Sequence, residues 1–366
     1  MVNGSLKLIT LSGIPVYIHW SFSLIILVAL NVGYTMDLDW QGTASVLLFF
    51  LVVFVCVVLH EMGHALAARR YGIRTQDIIL TPIGGIARME GLPEKPIREI
   101  IIALAGPLVN IIIALFLWII LTFVTKRGVL LDENPIGSSL IFSNFLPLLF
   151  NTNFVLAIFN LLPAFPLDGG RVFRALLAMR WNRERATYYA SRVGQLAAVA
   201  FFAFGLYEQE YTLMLIGVFV YFAAGSEYKT IKNDDVLEHY KISEISWSNF
   251  RLLYETDNMA KALAYLTKGH ETNFLVADDQ GKIVGFLSEE IIIDAANANV
   301  DNDLISHHMK PIMYRIKNDD SLRNAYRVMQ AQHLPILPIL EDGFLVGVLD
   351  ADAIDHFLSL RQQLKK

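Results

Sequence analysis

One short stretch carries residues whose types and spacing suit hydrolytic chemistry: Leu59-His60-Glu61-Met62-Gly63-His64-Ala65. His60 and His64 stand four residues apart, so on a helix their imidazoles share a face and can point at one metal ion. Glu61 sits beside the first of them and can act as general base towards an attacking water. Two imidazoles, one carboxylate and an open position make a catalytic zinc arrangement, so one Zn2+ per chain is the expected cofactor. The pattern His-Glu-x-x-His fixes only three residues and is weak in isolation. Here it lies in an otherwise apolar run, and such groups inside a membrane helix cost free energy unless they bind something.

A third ligand is needed. The best candidate is Asp168, in Asn160-Leu161-Leu162-Pro163-Ala164-Phe165-Pro166-Leu167-Asp168-Gly169-Gly170-Arg171. Asp168 also reads as a helix N-cap, because Gly169-Gly170 opens a helical stretch. The histidine pair and Asp168 both fall towards the inner ends of their spans, at similar depth, which favours ligation.

The elements that must position these groups are membrane helices. Of 366 residues, 54% are hydrophobic and 18% charged, with a mean hydropathy of +0.45. A bilayer core takes about 20 mostly apolar residues per helix. Six candidate spans cover about 16–32, 44–67, 97–124, 140–162, 186–206 and 211–225. The chain turns polar after about residue 229. The expected fold is therefore an α-helical polytopic membrane domain over 1–230 and a soluble domain over 231–366. The net charge of −5 gives no sign of nucleic-acid binding. The one cysteine, Cys56, reads as a small buried hydrophobe.

Lys and Arg set the orientation. Arg69, Arg70, Arg74, Arg88, Lys95 and Arg98 follow the second span, and Arg171, Arg174, Arg180, Arg183 and Arg185 follow the fourth. Lys126 and Arg127 are a mild conflict. Six spans then put both termini and the soluble domain on the cytoplasmic side of the cell's inner (plasma) membrane, with the lipid bilayer as a partner.

Between the second and third spans, Asp77-Ile78-Ile79-Leu80-Thr81-Pro82-Ile83-Gly84-Gly85-Ile86-Ala87-Arg88-Met89 is too short and broken to cross. Its β-branched residues and Gly-Gly suit a membrane-dipping β-hairpin. An edge strand through Gly84, Gly85 and Ile86 could pair with an extended substrate, and a purely structural interfacial loop is the alternative. His19 reads as a histidine hydrogen-bonded to a neighbour, not as a ligand.

The pairing of His60-Glu61-x-x-His64 with Asn160-x-x-Pro163-x-x-Pro166-Leu167-Asp168-Gly169 resembles the site-2 protease family of intramembrane zinc metalloproteases. Gly13-Ile14-Pro15-Val16-Tyr17-Ile18-His19-Trp20-Ser21-Phe22 and Pro82-Ile83-Gly84-Gly85-Ile86-Ala87 are similar to its branch with CBS domains. The resemblance implies that His60, His64 and Asp168 bind zinc and that Glu61 activates water. It implies that Asn160 holds the substrate backbone or the developing oxyanion, with Pro163 beside it at the substrate. It also implies a transmembrane or membrane-associated protein as substrate, such as an anti-sigma factor, a pro-sigma factor or a signal-peptide remnant.

The C-terminal part holds two similar segments, about 242–300 and 301–361. Each reads as strand, Asp/Gly turn, strand and helix, and the pair resembles a tandem CBS module of α+β fold. CBS modules that bind adenine nucleotides usually carry Ser or Thr after the second strand and Asp three residues later. Here Ser288 is followed at that spacing by Ile291, and Asp350 by Ala353. Adenine-nucleotide sensing and dimerisation or docking both remain open. Two other functions compete with a protease: a catalytically silent membrane protein that holds substrates, and a metal transporter. Intact His60, Glu61, His64 and Asp168 argue against the first. The few intramembrane acids besides Glu61 and Asp168 argue against the second.

Overall fold

The computed structural model describes residues 4–82, 84–91, 93, 95–124, 144–269, 271–312, 314–341 and 344–364. Ile83, Lys126, Arg127 and the start of the fourth expected span lie outside the described residues. The chain divides into two compact units, Met1–Ile231 and Lys232–Lys366.

The first unit opens with strands, not a helix. β1 (Ser5–Leu11) pairs antiparallel with β2 (Ile14–His19). A short 3-10 turn, Trp20–Ser23, leads to α1 (Leu24–Thr35). The expected first span at 16–32 is thus a strand over its first residues. An apolar run has no period that separates strand from helix. The β-branched Val16 and Ile18 suit a strand, Pro15 disfavours a helix interior there, and β2 gains a parallel partner in β3 (Thr75–Thr81). β3 turns back into β4 (Gly84–Met89), giving one sheet ordered β1-β2-β3-β4. Ile14, Val16, Ile78 and Leu80 on its buried face form a cluster with Met62 and Ala65, so the sheet braces the turns of helix that carry the two histidines.

That helix is α2 (Trp40–Arg69), capped by Asp39, whose Oδ1 accepts from Gly42 N at 2.8 Å. It is followed by α3 (Pro96–Ile119), α4 (Phe145–Asn160), α5 (Asp168–Ala178), α6 (Arg183–Tyr207) and α7 (Tyr211–Glu238). Among the described residues, four segments are long and apolar enough to cross a membrane: Trp40–Arg69, Pro96–Phe123, Arg183–Tyr207 and Tyr211–Glu238. Trp20–Thr35 and Phe145–Asn160 are shorter apolar helices. On α2 the exposed Leu48, Leu51, Val55 and Leu59 recur at helical spacing. An apolar stripe of this kind needs an apolar surrounding.

The second unit carries two similar halves. β6 (Asn273–Ala277), β7 (Ile283–Ser288) and α9 (Glu289–Asn297) follow α8 (Met259–Lys268), with β5 (Leu252–Tyr254) and β8 (Lys310–Pro311) at the sheet's edges. β9 (Ile336–Glu341), β10 (Phe344–Asp350) and α11 (Ala351–Leu364) follow α10 (Leu322–Gln332). In both halves the amphipathic helix packs its apolar side on the strands, as Leu322, Ala325 and Met329 do against Ile336, Leu337 and Ile339.

Candidate metal centre

His60 and His64 project from one face of α2 and are buried. Asp168 is the first residue of α5 and is also buried. Its Oδ2 lies 3.2 Å from Nε2 of His60 and 3.2 Å from Nε2 of His64. The two Nε2 atoms are 3.1 Å apart. Among the described residues this is the group that could hold a metal ion.

The outer nitrogens decide the tautomers. His64 Nδ1 lies 2.7 Å from the Ile102 carbonyl, and His60 Nδ1 lies 3.2 Å from Asn110 Oδ1. A carbonyl oxygen only accepts, so both Nδ1 atoms carry the hydrogen. Both Nε2 atoms then turn lone pairs towards each other and towards a carboxylate oxygen. Three acceptors facing one another are repulsive unless a cation lies between them. Their separations also match the edge of a tetrahedron around zinc, about 3.3 Å for bonds of roughly 2.0 to 2.1 Å. The donor set therefore fits zinc.

Several local features let this cluster form. A Cβ on Gly106 of α3 would stand 2.2 Å from His64 Nε2 and 2.6 Å from His60 Nε2. Only glycine leaves that room. One residue away on each helix, a Cβ on Gly63 would stand 2.7 Å from the Ala105 carbonyl, so α2 and α3 cross closely on small residues. Asp168 does not cap a helix: the N-cap position is Leu167, without a side-chain cap bond. The turn before α5 folds back so tightly that a Cβ on Gly169 would meet the Leu161 and Leu162 carbonyls at 2.3 Å.

α5 is fixed by a buried ion cluster. Arg174 is fully buried; its Nε donates to Glu99 Oε1 of α3 at 2.8 Å and its Nη1 to Glu227 Oε1 of α7 at 2.9 Å. Arg183 reaches Glu99 Oε2 at 3.4 Å, and the Arg174 guanidinium stacks 5.2 Å from the Phe165 ring. Leaving buried Arg174 or Glu99 unpaired would cost several kcal/mol.

Glu61 is half-buried next to the cluster. A Cβ on Gly85 of β4 would stand 2.7 Å from its Cγ. Gly84 has φ +146, a conformation that side-chain-bearing residues rarely adopt. Ile86 is exposed and Pro163 lies exposed in the turn after α4. Asn160 ends α4, half-buried, and is not part of the ligand cluster. His19 pairs with Ser21 Oγ at 2.6 Å and is not part of the ligand cluster.

The Peptidase family M50 profile matches residues 48–143 and 133–203, and the CBS domain profile matches residues 242–298. A zinc metalloprotease of Methanocaldococcus jannaschii is 30% identical over 371 residues, covering 100% of both chains. The chain belongs to peptidase family M50, the site-2 protease family. A second relative, named a zinc metalloprotease, from Synechocystis sp., is 28% identical over 372 residues, 96% of this chain and 95% of its own. The solved site-2 protease from Methanocaldococcus jannaschii is 34% identical, with a TM-score of 0.46, covering 61% of this chain and 95% of that one. This M50 chain is a multi-pass membrane protein that also carries a CBS domain.

The second unit of the M50 chain has a cleft of about 140 Å³ whose lining includes Trp247, Phe250, Thr272, Asn273, Asp350 and Asp352. Asn273 Nδ2 donates to Asp350 Oδ2 at 3.1 Å, and Thr272 Oγ1 to Asp352 Oδ2 at 3.2 Å. Burial pushes the Asp350 carboxyl above the usual carboxylate range. Asn110, Gly106 and the Glu99–Arg174 pair were not among the expected site residues. A lone asparagine in the apolar run of α3 was the available signal, since such a group needs a partner inside a membrane. Arg174 read only as one positive charge among several after the fourth span.

Proposed function

We propose that this chain is an intramembrane zinc metalloendopeptidase that cuts a transmembrane or membrane-associated protein. The observation that carries the reading is the facing of His60 Nε2, His64 Nε2 and Asp168 Oδ2 at 3.1–3.2 Å, with Glu61 adjacent. These three residues hold one zinc ion per chain. When bound, zinc supplies Lewis-acid activation of water and of the scissile carbonyl. Glu61 takes the proton of the attacking water and passes it to the leaving amine. Asn160 holds the substrate backbone or the developing oxyanion, and Pro163 lies beside it.

A helical substrate keeps its amides internally bonded and must be unwound before it can be cut. β4 is the edge of its sheet and runs past Glu61. Gly84, Gly85 and Ile86 offer backbone groups to an extended substrate strand, on a hairpin that dips into the membrane. The four long helices and the two shorter apolar ones make six spans, with both termini cytoplasmic. Substrates of this reading are membrane-anchored regulators such as an anti-sigma factor, a pro-sigma factor or a signal-peptide remnant.

Residues 1–230 form the protease domain and 231–366 the tandem CBS domain. Its cleft is lined by Arg251 as well as by Glu271, Asp350 and Asp352, and Ile291 and Ala353 stand where nucleotide-binding CBS modules carry a ribose-binding carboxylate, which favours dimerisation or docking over adenine-nucleotide sensing as the domain's role. Calorimetry of the full chain with ATP and AMP checks this: saturable heat would restore the adenine-nucleotide reading. The protease reading is tested by Glu61→Gln. Membrane proteomics should show fragments lost while about one zinc per chain is kept. Unchanged cleavage would remove Glu61 from its role.

A further inference from the structure

Four residues of α3 touch the metal centre or its supports, and they lie on one stripe. Glu99, Ile102, Gly106 and Asn110 follow one another at steps of three and four residues, which is one face of a helix. Each meets a different part of the site. Asn110 Oδ1 accepts from His60 Nδ1 at 3.2 Å. The Ile102 carbonyl accepts from His64 Nδ1 at 2.7 Å. Gly106 leaves the space into which both Nε2 atoms project. Glu99 accepts from Arg174, six residues beyond Asp168 on α5.

We propose that Asn110 is a positioning residue for the zinc site, the side-chain member of an α3 stripe that sets all three ligands in register. The inference rests on the zinc reading above and adds a residue that touches neither substrate nor zinc. Its physical basis is simple. A free imidazole spreads its proton over two nitrogens and its ring over several rotamers. An acceptor on Nδ1 keeps the Nε2 lone pair exposed and fixes the ring. Asn110 is itself buried, in an apolar run of helix where an asparagine is costly without a partner. His64 needs no such side chain because a backbone carbonyl does the same work. Gly106 lies between the two supports, so the helix can approach the ligands closely enough to reach both.

The test uses the purified full-length chain in detergent, with zinc affinity measured by competition against a chelator at fixed pH. Asn110→Ala should melt near the parent when both are metal-free, yet bind zinc about ten- to hundred-fold more weakly. Asn110→Asp keeps an acceptor on His60 Nδ1 and should restore affinity to the parent level or above. Equal zinc affinity of Asn110→Ala and the parent overturns the proposal. If Asn110→Ala does not fold, Asn110→Asp decides: a tenfold loss of affinity there overturns it as well. The parent and Asp168→Ala serve as controls. A parent that binds zinc while Asp168→Ala does not secures the metal reading, so a failure confined to Asn110 counts against the stripe alone. A parent that binds no zinc removes both.

Discussion

Gly85 lies directly against Glu61, so closely that a Cβ on Gly85 would come within 2.7 Å of the Glu61 Cγ. The edge strand and the proposed general base therefore cannot move independently. Gly85→Ala should push the Glu61 carboxylate off its line to the attacking water. A misplacement of about 1 Å can cost on the order of a hundredfold in rate. We expect cleavage to fall about ten- to hundred-fold with zinc content unchanged, read by fragment yield and metal analysis of the same preparation.

The turn at Gly84 gives a separate handle. Its φ of +146 is far from the roughly −65° that proline enforces. Gly84→Pro should disrupt the β3–β4 hairpin and abolish cleavage. The proposed ligands sit on α2 and α5, so zinc binding should survive. Normal cleavage by Gly84→Pro would remove β4 from substrate presentation.

Metal and fold should be linked. A ligand that binds only the folded chain stabilises it by about 2.7 kcal/mol at a concentration a hundred times its Kd. Zinc should therefore raise the melting temperature of the chelator-treated parent. Asp168→Ala, with one ligand of three missing, should show little or no rise.

The buried ion cluster should be expensive to break. Arg174 bridges Glu99 of α3 and Glu227 of α7. Arg174→Met leaves Glu99 with Arg183 alone, at 3.4 Å. We expect a loss of about 3–5 kcal/mol in unfolding free energy. Zinc affinity should fall too, because α5 carries Asp168. The double replacement Arg174→Met/Glu99→Gln should recover part of the stability, measured as a double-mutant cycle.

Asp350 gives a pH signature in the second unit. Burial raises its carboxyl pKa above the unfolded value of 3.8, although Asn273 donates to it. The folded state then holds this proton more tightly than the unfolded state. Its contribution is complete below the unfolded pKa and declines as pH rises past it. Asp350→Asn removes that decline. The stability difference in favour of the variant should grow from about pH 4 upward and then level off.

Much of the site is legible in the sequence because its core is local. His60, Glu61 and His64 fall within one helical turn and a half, and their geometry follows from spacing alone. Asp168 stands at the head of its own distinctive run. The two C-terminal halves announce themselves by repetition. What escaped reading depends on contacts between distant segments. β2 looks like the start of a membrane helix until β1 and β3 flank it. Glu99 and Arg174 are 75 residues apart and give no local sign of pairing. Gly106 reads as an ordinary small residue in an apolar run; its meaning lies in where two imidazoles point.

His64 and Asp168 are separated by 104 residues of chain. A ribosome delivers the histidines, together with Glu61, long before the aspartate. During that interval the growing polypeptide holds the proposed general base and two of the three proposed ligands. The centre is completed only when the corner between α4 and α5 has been inserted beside α2 and α3. Under the zinc reading, order of synthesis therefore leaves a half-made copy without its complete ligand set.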